Sequence, residues 1–342
     1  MPKIYDSYNN KSIAEYYKEA VSNKIPYLGE TLFPYKKKLG LDLKYIKSGK
    51  GIPQVLKLSA FDTKATLRDR AGFSDVESEM PYFKESMLIK EKDRQELLKV
   101  IENDNSEYAN IILNNIFDDT THLVEGALHQ FERMRMQLLS EGKIKITYGG
   151  LGLDYSYGVN ETTVSKSWAL PSTDIMADIE KGMDDAEDRS GVRPTRAICT
   201  KKTFKYLTEN TKIIGAIRAL NTTKYVNSKM VKQYIQDELD LTIAIYNKKY
   251  IDEDGATQNF FSDDVFTLIP ASNLGSSWFG TTPEETDLMS SKVANVSIIN
   301  TGVAITTKET DDPVNVSTKV SFIGLPSFEN SEQVQILKVV TV

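Results

Sequence analysis

The sequence predicts an α+β chain with an α/β block inserted into it, and three observations carry that prediction. The stretch Ser106 to Gly142 holds a helical hydrophobic period without interruption. Strand-like runs with alternating side chains lie before it, directly after it and again at the end of the chain. Between the last two groups, Ser172 to Pro270 alternates short strands with amphipathic helices and carries its own turns.

Composition sets the outer limits. A chain of 342 residues with 40% hydrophobic content has material for two domains, or for one domain with a large insertion. Its formal charge of -6 argues against a dedicated nucleic-acid binder, and no apolar run reaches the length of a membrane span. Met1-Pro2-Lys3-Ile4-Tyr5-Asp6 has no apolar signal core, which predicts a protein made and used without secretion. The single Cys199 excludes an internal disulfide, and inside the predicted strand Thr195 to Thr200 it reads as a small buried hydrophobe rather than a catalytic thiol.

The first 53 residues read as an arm. Ser12 opens a short amphipathic helix in which Ile13, Tyr16, Tyr17, Ala20 and Val21 share a side, and Pro26 stops it. From Tyr27 to Pro53 the chain is aromatic and lysine-rich, and Gly29, Pro34, Gly40, Gly49, Gly51 and Pro53 punctuate it too often for a compact domain. Lys36-Lys37-Lys38 reads as a solvated turn, with contact to phosphate as the competing reading.

Residues 54–89 follow another rule. VLKLSAF and ATLRDR alternate polar with apolar, and after a turn at Ala71-Gly72 the run SDVESEMPYFKESMLI is extended again. The pair lacks the apolar residues for a core, so it must lie on something else, and a neighbouring copy of the chain is the expected support. Lys92 to Asn103 then reads as a short helix.

In Ser106 to Gly142, Leu113, Phe117, Val124, Leu128, Phe131, Met134 and Leu138 recur every three or four residues on one face. Asp118, His122, Glu125, His129 and Glu132 make the opposite face polar. At about 1.5 Å per residue such a helix spans roughly 50 Å. Ser106 is a suitable N-cap, Glu107 and Lys143 complement the dipole, and Gly142 supplies a left-handed C-cap. Asp118, His122, Glu125 and His129 invite a metal reading, but a carboxylate-bridged site in a bundle needs matching ligands on further helices, so the stripe reads as a solvated face.

After the helix, KIKITYGGLGLDYSYGV reads as two strands about a glycine turn. Gly149-Gly150-Leu151-Gly152 is not a phosphate loop, because no Gly-Lys-Ser/Thr and no helix follow. In the α/β block, Ser172 or Thr173 caps a helix with Ile175, Ile179, Met183 and Ala186 inward, ended by Gly191. A strand leads to the helix Lys201 to Asn210 with Phe204 and Leu207 inward, and a third helix, Ser228 to Leu239, presents Val231, Tyr234, Ile235 and Leu239. LTIAIYNKKYI and FFSDDVFTLI read as strands with a hairpin turn at Asp254-Gly255. Asp252-Glu253-Asp254-Gly255 lacks the later ligands of a calcium loop, and Asp184-Asp185-Ala186-Glu187-Asp188 reads as a solvated helix end, with a weak cation site at a subunit contact as its alternative. The tail returns to strands in VANVSIINTGVAITTK, VNVSTKVSFIGLP and EQVQILKVV, expected to pair with one another and with Lys143 to Val159.

Three passages carry a family resemblance: SIAEYYKEAVSNKIPYLGETLFP; RPTRAICTKKTFKYL with TIAIYNKKYIDEDG; and STKVSFIGLPSFENSEQVQILKVV, in which a strand, a Leu325-Pro326 break and a terminal strand follow one another. With the order of parts, they make the chain resemble the major capsid protein of tailed bacteriophages, the lambda-type phage capsid protein E family, whose fold is HK97-type. That family often carries arginine along its spine helix; this chain has only Arg133 and Arg135 there, so no particular salt bridge is transferred.

The resemblance implies an N-terminal arm at 1–53, an extended loop (E-loop) at 54–89 and a peripheral domain at 90–171 with its spine helix at 106–142. It further implies an axial domain at 172–290 and C-terminal strands of the peripheral domain at 291–342. It implies a structural subunit that self-assembles through hexamers and pentamers into an icosahedral shell, first a prohead and then a virion head around double-stranded DNA. DNA contact would be non-specific, with Lys36 to Lys38 among the basic side chains. Because the sequence starts directly at the arm, a separate scaffolding protein is expected, with a portal and a possible decoration protein. Assembly is expected in the host cytoplasm, with no membrane partner. No catalytic, cofactor-binding or metal residue is assigned and no cofactor is expected: only His122 and His129 exist, and no Ser, Cys or carboxylate pair is placed to work with them. A phage tail component or an encapsulin-like nanocompartment shell is the alternative.

Overall fold

The computed structural model describes residues 10–21, 26–47, 74–89, 91, 95, 106–148, 150–220, 225–288, 295–299, 301–311 and 314–340. The expected helix Lys92 to Asn103 and the runs VLKLSAF and ATLRDR lie outside them, Gln95 excepted.

In chain order the first elements are α1 (Asn10–Val21), α2 (Leu28–Leu32), β1 (Tyr35–Lys37), β2 (Asp42–Lys47), β3 (Ser74–Glu79), β4 (Tyr82–Ile89) and the spine helix α3 (Ser106–Glu141). There follow β5 (Lys143–Tyr148), β6 (Leu151–Ser156), β7 (Asn160–Thr163), α4 (Ile175–Ser190), β8 (Arg196–Cys199), α5 (Lys201–Glu209), α6 (Thr211–Leu220) and α7 (Ser228–Leu239). The last are β9 (Thr242–Ile245), β10 (Lys249–Ile251), β11 (Thr257–Asn259), β12 (Val265–Ile269), β13 (Ser276–Phe279), a π-helical turn (Glu284–Leu288), β14 (Asn295–Ile299), β15 (Val303–Asp311), β16 (Val314–Ser327) and β17 (Gln335–Lys338).

The chain divides into two units. The first takes residues 1–43, 77–132 and 276–327; the second takes 44–76, 133–275 and 328–342. The spine helix is one continuous element of 36 residues, counted with the first unit to Glu132 and with the second from Arg133.

The first unit is built on a six-stranded sheet ordered β1-β13-β16-β15-β14, with β4 also on β16. β4 and β13 meet end to end along β16: Tyr82 lies opposite Ile323 and Phe279 opposite Gly324. SDVESEMPYFKESMLI therefore does not run as one strand. It breaks at Met80-Pro81, so that β3 pairs with β2 while β4 joins the main sheet. Gly280 sits at the junction, where a Cβ would come within 2.7 Å of the Gly40 carbonyl oxygen. Pro326 does not break β16, which continues to Ser327 with Pro326 opposite Ser277. It lies beyond the ladders to β15 and β4, which end at Ser321 and Ile323, so its missing N–H interrupts neither.

Nor is Tyr27 to Leu43 an unpacked arm. Leu32, Phe33 and Leu43 are buried, and β1 pairs in parallel with β13. In α1 Ile13, Ala14 and Tyr17 are buried, close to the expected face.

The second unit holds a five-stranded sheet ordered β7-β17-β12-β8-β9. Phe266, Leu268, Cys199, Ile243 and Leu337 face a core shared with Ile179 and Met183 of α4, Leu207 of α5, Ile213 of α6 and Ile235 of α7. On the other side, Thr267 donates to the Leu139 carbonyl of the spine helix at 2.6 Å. The expected helices α4, α5 and α7 are present, and α6 is an element the sequence analysis missed. The cap of α4 is Asp174, whose carboxylate accepts from Ala177 N–H, rather than Ser172 or Thr173.

β17 is another departure. It was expected beside the other terminal strands, yet it pairs with β12 and β7. Packing explains this: Leu337 lies against Gly182 of α4, where a Cβ would stand 3.1 Å away. β5 and β6 pair as the expected hairpin, but with each other rather than with the C-terminal strands.

Candidate assembly surfaces

The spine helix stops where its sequence says it should. Gly142 adopts φ +66° and its N–H donates to the Leu138 carbonyl at 3.0 Å, the left-handed cap that a Cβ would strain. Val124, Leu128 and Phe131 are buried in the first unit, and Met134 and Leu138 in the second; the side chains of Leu113 and Phe117 lie outside the described residues.

The polar stripe corrects the expectation of a solvated face. Tyr16 donates to Asp118 at 2.7 Å, and Tyr27 stands edge-on to His129 with ring centroids 5.8 Å apart. Glu132 is fully buried and accepts from the Gly29 backbone N–H at 3.2 Å. Burial, reinforced by the charges of Glu132, Glu125 and Glu30, pushes the Tyr27 phenol up to about 12. The stripe is thus the seat of the chain segments that precede it. Only its beginning is open: Asp118 is exposed, and His122 keeps 74% of its side chain in solvent, 3.6 Å from Glu125.

At the inner end of this seat an aromatic group joins three distant segments. Phe131 packs on Tyr35, Phe279 and Phe322 with centroids 5.8, 4.7 and 5.2 Å away, and Phe322 stacks on Phe83 at 4.9 Å. Edge and offset contacts of this kind add to simple burial. Gly324 and Gly302 are required here, because Cβ atoms on them would run into Phe131 and Phe279.

A polar knot lies at the start of β4. Glu284, 3% exposed, accepts from Tyr82 at 2.6 Å and pairs with Lys319 at 2.5 Å. Burial raises the acid, but hydrogen bonds from Lys319, Tyr82 and its own backbone outweigh that and hold it at about 2. Burial, then the Glu284 acceptor, pushes Tyr82 up to about 12. Next to it Lys37 pairs with Glu285, and Lys36 stands 5.3 Å over the Trp278 ring. Lys36 to Lys38 is therefore not a solvated turn: Lys36 and Lys37 belong to a paired strand and have partners.

Beyond this knot β4 is thinly covered. Lys84 to Leu88 are exposed in succession, hence on both faces of the strand, with Met87 at 40% and Leu88 at 54%. Met87 and Leu88 thus place one exposed apolar side chain on each face of an edge strand.

The remaining candidate residues are occupied structurally. Cys199 is buried in β8, and burial pushes its thiol up to about 12. Asp252 is taken by its own turn, accepting from Asp254 and Ala256 N–H at 3.1 and 2.7 Å. Asp184 and Glu187 both bind Arg193, at 2.6 and 2.7 Å. Among the described residues no group of three or more His, Cys, Asp or Glu side chains is placed to hold a metal ion. Among the described residues no helix is long and apolar enough to cross a membrane.

The family model of phage major capsid protein E matches residues 11–339. A solved structure assigned as the capsid protein of a prophage in Escherichia coli CFT073 covers 97% of this chain and 99% of its own, at 14% identity and a TM-score of 0.61. A phage-related protein of Bordetella bronchiseptica RB50 covers 95% and 96%, at 11% identity and a TM-score of 0.52. No curated protein matches the chain.

Proposed function

The chain belongs to the phage major capsid protein E family, and from that membership we propose how its parts work in the shell. It is a structural capsid protein of the HK97-type fold, part of the virion, and not an enzyme. Its subunits assemble into a multimeric shell.

Beyond this we read residues 1–53 as the arm, 54–89 as the extended loop, 172–290 as the axial domain, and 90–171 with 291–342 as the peripheral domain. The structure qualifies that division at two points, since β4 rests on β16 and β17 pairs with β12. In this reading identical subunits form hexamers and pentamers around the axial domains, and the extended loop lies over the adjacent copy. Scaffolding protein, portal and a decoration protein are its further partners, assembly takes place in the host cytoplasm, and packaged DNA is touched without sequence preference. Lys37 is withdrawn from that contact, being paired with Glu285.

One observation supports this reading above the others: β4 leaves Lys84 to Leu88 exposed on both faces, with apolar Met87 and Leu88 among them. Electron microscopy of the purified recombinant chain tests it. Closed shells are expected; tubes would point to a tail element, and a monomer at every concentration and salt would overturn the reading.

A further inference from the structure

Several charges on the α/β unit are placed against the dipoles of the helices that carry them, although Asp178 in the first turn of α4, Arg189 in its last turn and Arg218 in the last turn of α6 follow the usual rule. Acidic side chains favour helix N-termini and basic ones C-termini. Yet α4 carries Asp184, Asp185, Glu187 and Asp188 in its C-terminal half, and α7 ends in Asp237 and Glu238 with Asp240 as a left-handed cap at φ 50°. Conversely, α5 opens with Lys201 and Lys202, and α7 opens with Lys229 and Lys232, with no acid in either first turn.

The topology gathers these misplaced charges at two opposite ends. α4 leads into β8 and α7 into β9, which are parallel with Arg196 opposite Thr242. Both acidic C-termini therefore lie where these strands begin, and Thr242 fixes α7 there by donating through Oγ1 to Gln236 at 2.6 Å and through N–H to the Thr195 carbonyl at 2.9 Å. α5 leaves from where β8 ends. There Lys201 N–H donates to Asn247 Oδ1 at 2.8 Å, and Lys232 of α7 lies 5.5 Å from the Phe204 ring of α5. The lysines thus share the far end, about 13 Å away along β8 at ~3.3 Å per residue.

Part of this charge is answered locally, as Arg193 binds Asp184 and Glu187, and Lys202 binds Asp264. Asp188, Glu238, Lys201 and Lys229 are exposed and make no ion pair among the described residues.

We infer that these ends mate head to tail between copies of this chain, the acidic end of one α/β unit against the basic end of the next. The inference rests on the proposed shell reading and names the contact within a capsomer. Joining two different patches is a heterologous contact, which on repetition closes a ring or grows a filament. Charge complementarity across it fixes register and orientation, and gives the local conflict with the helix dipoles a purpose.

The test uses the full chain in the parent form and three variants: Asp188→Lys with Glu238→Lys, Lys201→Glu with Lys229→Glu, and all four changes together. Thermal unfolding checks folding, and sedimentation with electron microscopy measures the assembled fraction at about 0.15 M salt. Each double variant is expected to unfold like the parent and to lose about tenfold or more in assembled fraction. The fourfold variant, in which the four exchanged side chains are again opposite in sign across the contact, is expected to recover to within about twofold of the parent, a rescue that surface damage does not produce. The inference is overturned, with the shell reading intact, if either double variant assembles like the parent or if the fourfold variant does no better than the doubles. A lysine double variant that assembles normally but loses only DNA would place that end on nucleic acid and overturn it equally. A parent that forms no assembly would overturn the shell reading and this inference together.

Discussion

The Phe131 ring of the spine helix closes over Gly324 of β16, on the spot where a side chain would begin. The Trp278 carbonyl oxygen stands 2.8 Å from the same point, so backbone as well as side chain blocks it. Gly324→Ala is therefore expected to destabilise the first unit by about 1–3 kcal/mol, read as a lowered unfolding midpoint. Phe131→Asp should abolish soluble folded protein, because a charge would be buried among Tyr35, Phe279 and Phe322. Good yield of a mutant with the parent's circular dichroism would refute the assignment of that face.

Glu284 makes stability pH-dependent. Its acid is held at about 2 against 4.5 unfolded, so its contribution is complete above pH 4.5 and is lost as pH falls toward 2. Glu284→Gln should cost about 2 kcal/mol near neutrality, by leaving Lys319 without its charge partner. It should also flatten the acid limb of a stability-versus-pH curve between 4.5 and about 2. An unchanged acid limb would contradict the assigned pairing.

Two side chains, Glu132 on the spine stripe and Tyr16 of α1 against it, separate depth from contact. Glu132→Ala, which leaves the Gly29 N–H without its acceptor in a buried place, is expected to cost about 2–4 kcal/mol in denaturant unfolding. Tyr16→Phe, which removes an exposed hydrogen bond to Asp118, should cost under about 1 kcal/mol. Equal effects would contradict the difference in burial.

The extended loop sets a boundary for deletion. Cutting Ala65 to Glu79 would remove β3, which pairs with β2, whereas cutting Ala65 to Phe73 spares it and leaves β4 on β16. The shorter deletion is expected to give a folded subunit that does not close shells. Intact particles of this variant by microscopy would remove the loop from assembly.

What was legible in the sequence follows from how local its cause is. Helix ends set by Gly142 and Gly191, the inward faces of α4, α5 and α7, and the turn at Asp254-Gly255 depend on neighbouring residues and were found, although that turn joins β10 to β11 and not the two longer runs expected. α6 was missed because Thr211 follows Asn210 without a break and Gly215 interrupts its pattern. Asn210, which accepts from Lys212 and Ile213 N–H at 3.0 and 3.1 Å, was the available signal. The burial of Glu132, the pairing of β17 with β12 and the packing of Leu32 and Phe33 rest on partners far away in the chain, which periodicity cannot report. Among the candidate residues, Cys199 was placed correctly as a buried hydrophobe because its strand was apolar; the lysines at 36 and 37 were misjudged because their partners Trp278 and Glu285 are remote.

Hydrogen exchange at those Lys84 to Leu88 amides that point away from β16, compared between dissociated subunits and the assembled particle, tests most directly whether β4 is completed by a sister copy. Faster exchange of these outward amides is predicted in the free subunit, and strong protection of them after assembly. Equal protection in a stable free monomer, with no change on assembly, would contradict that completion.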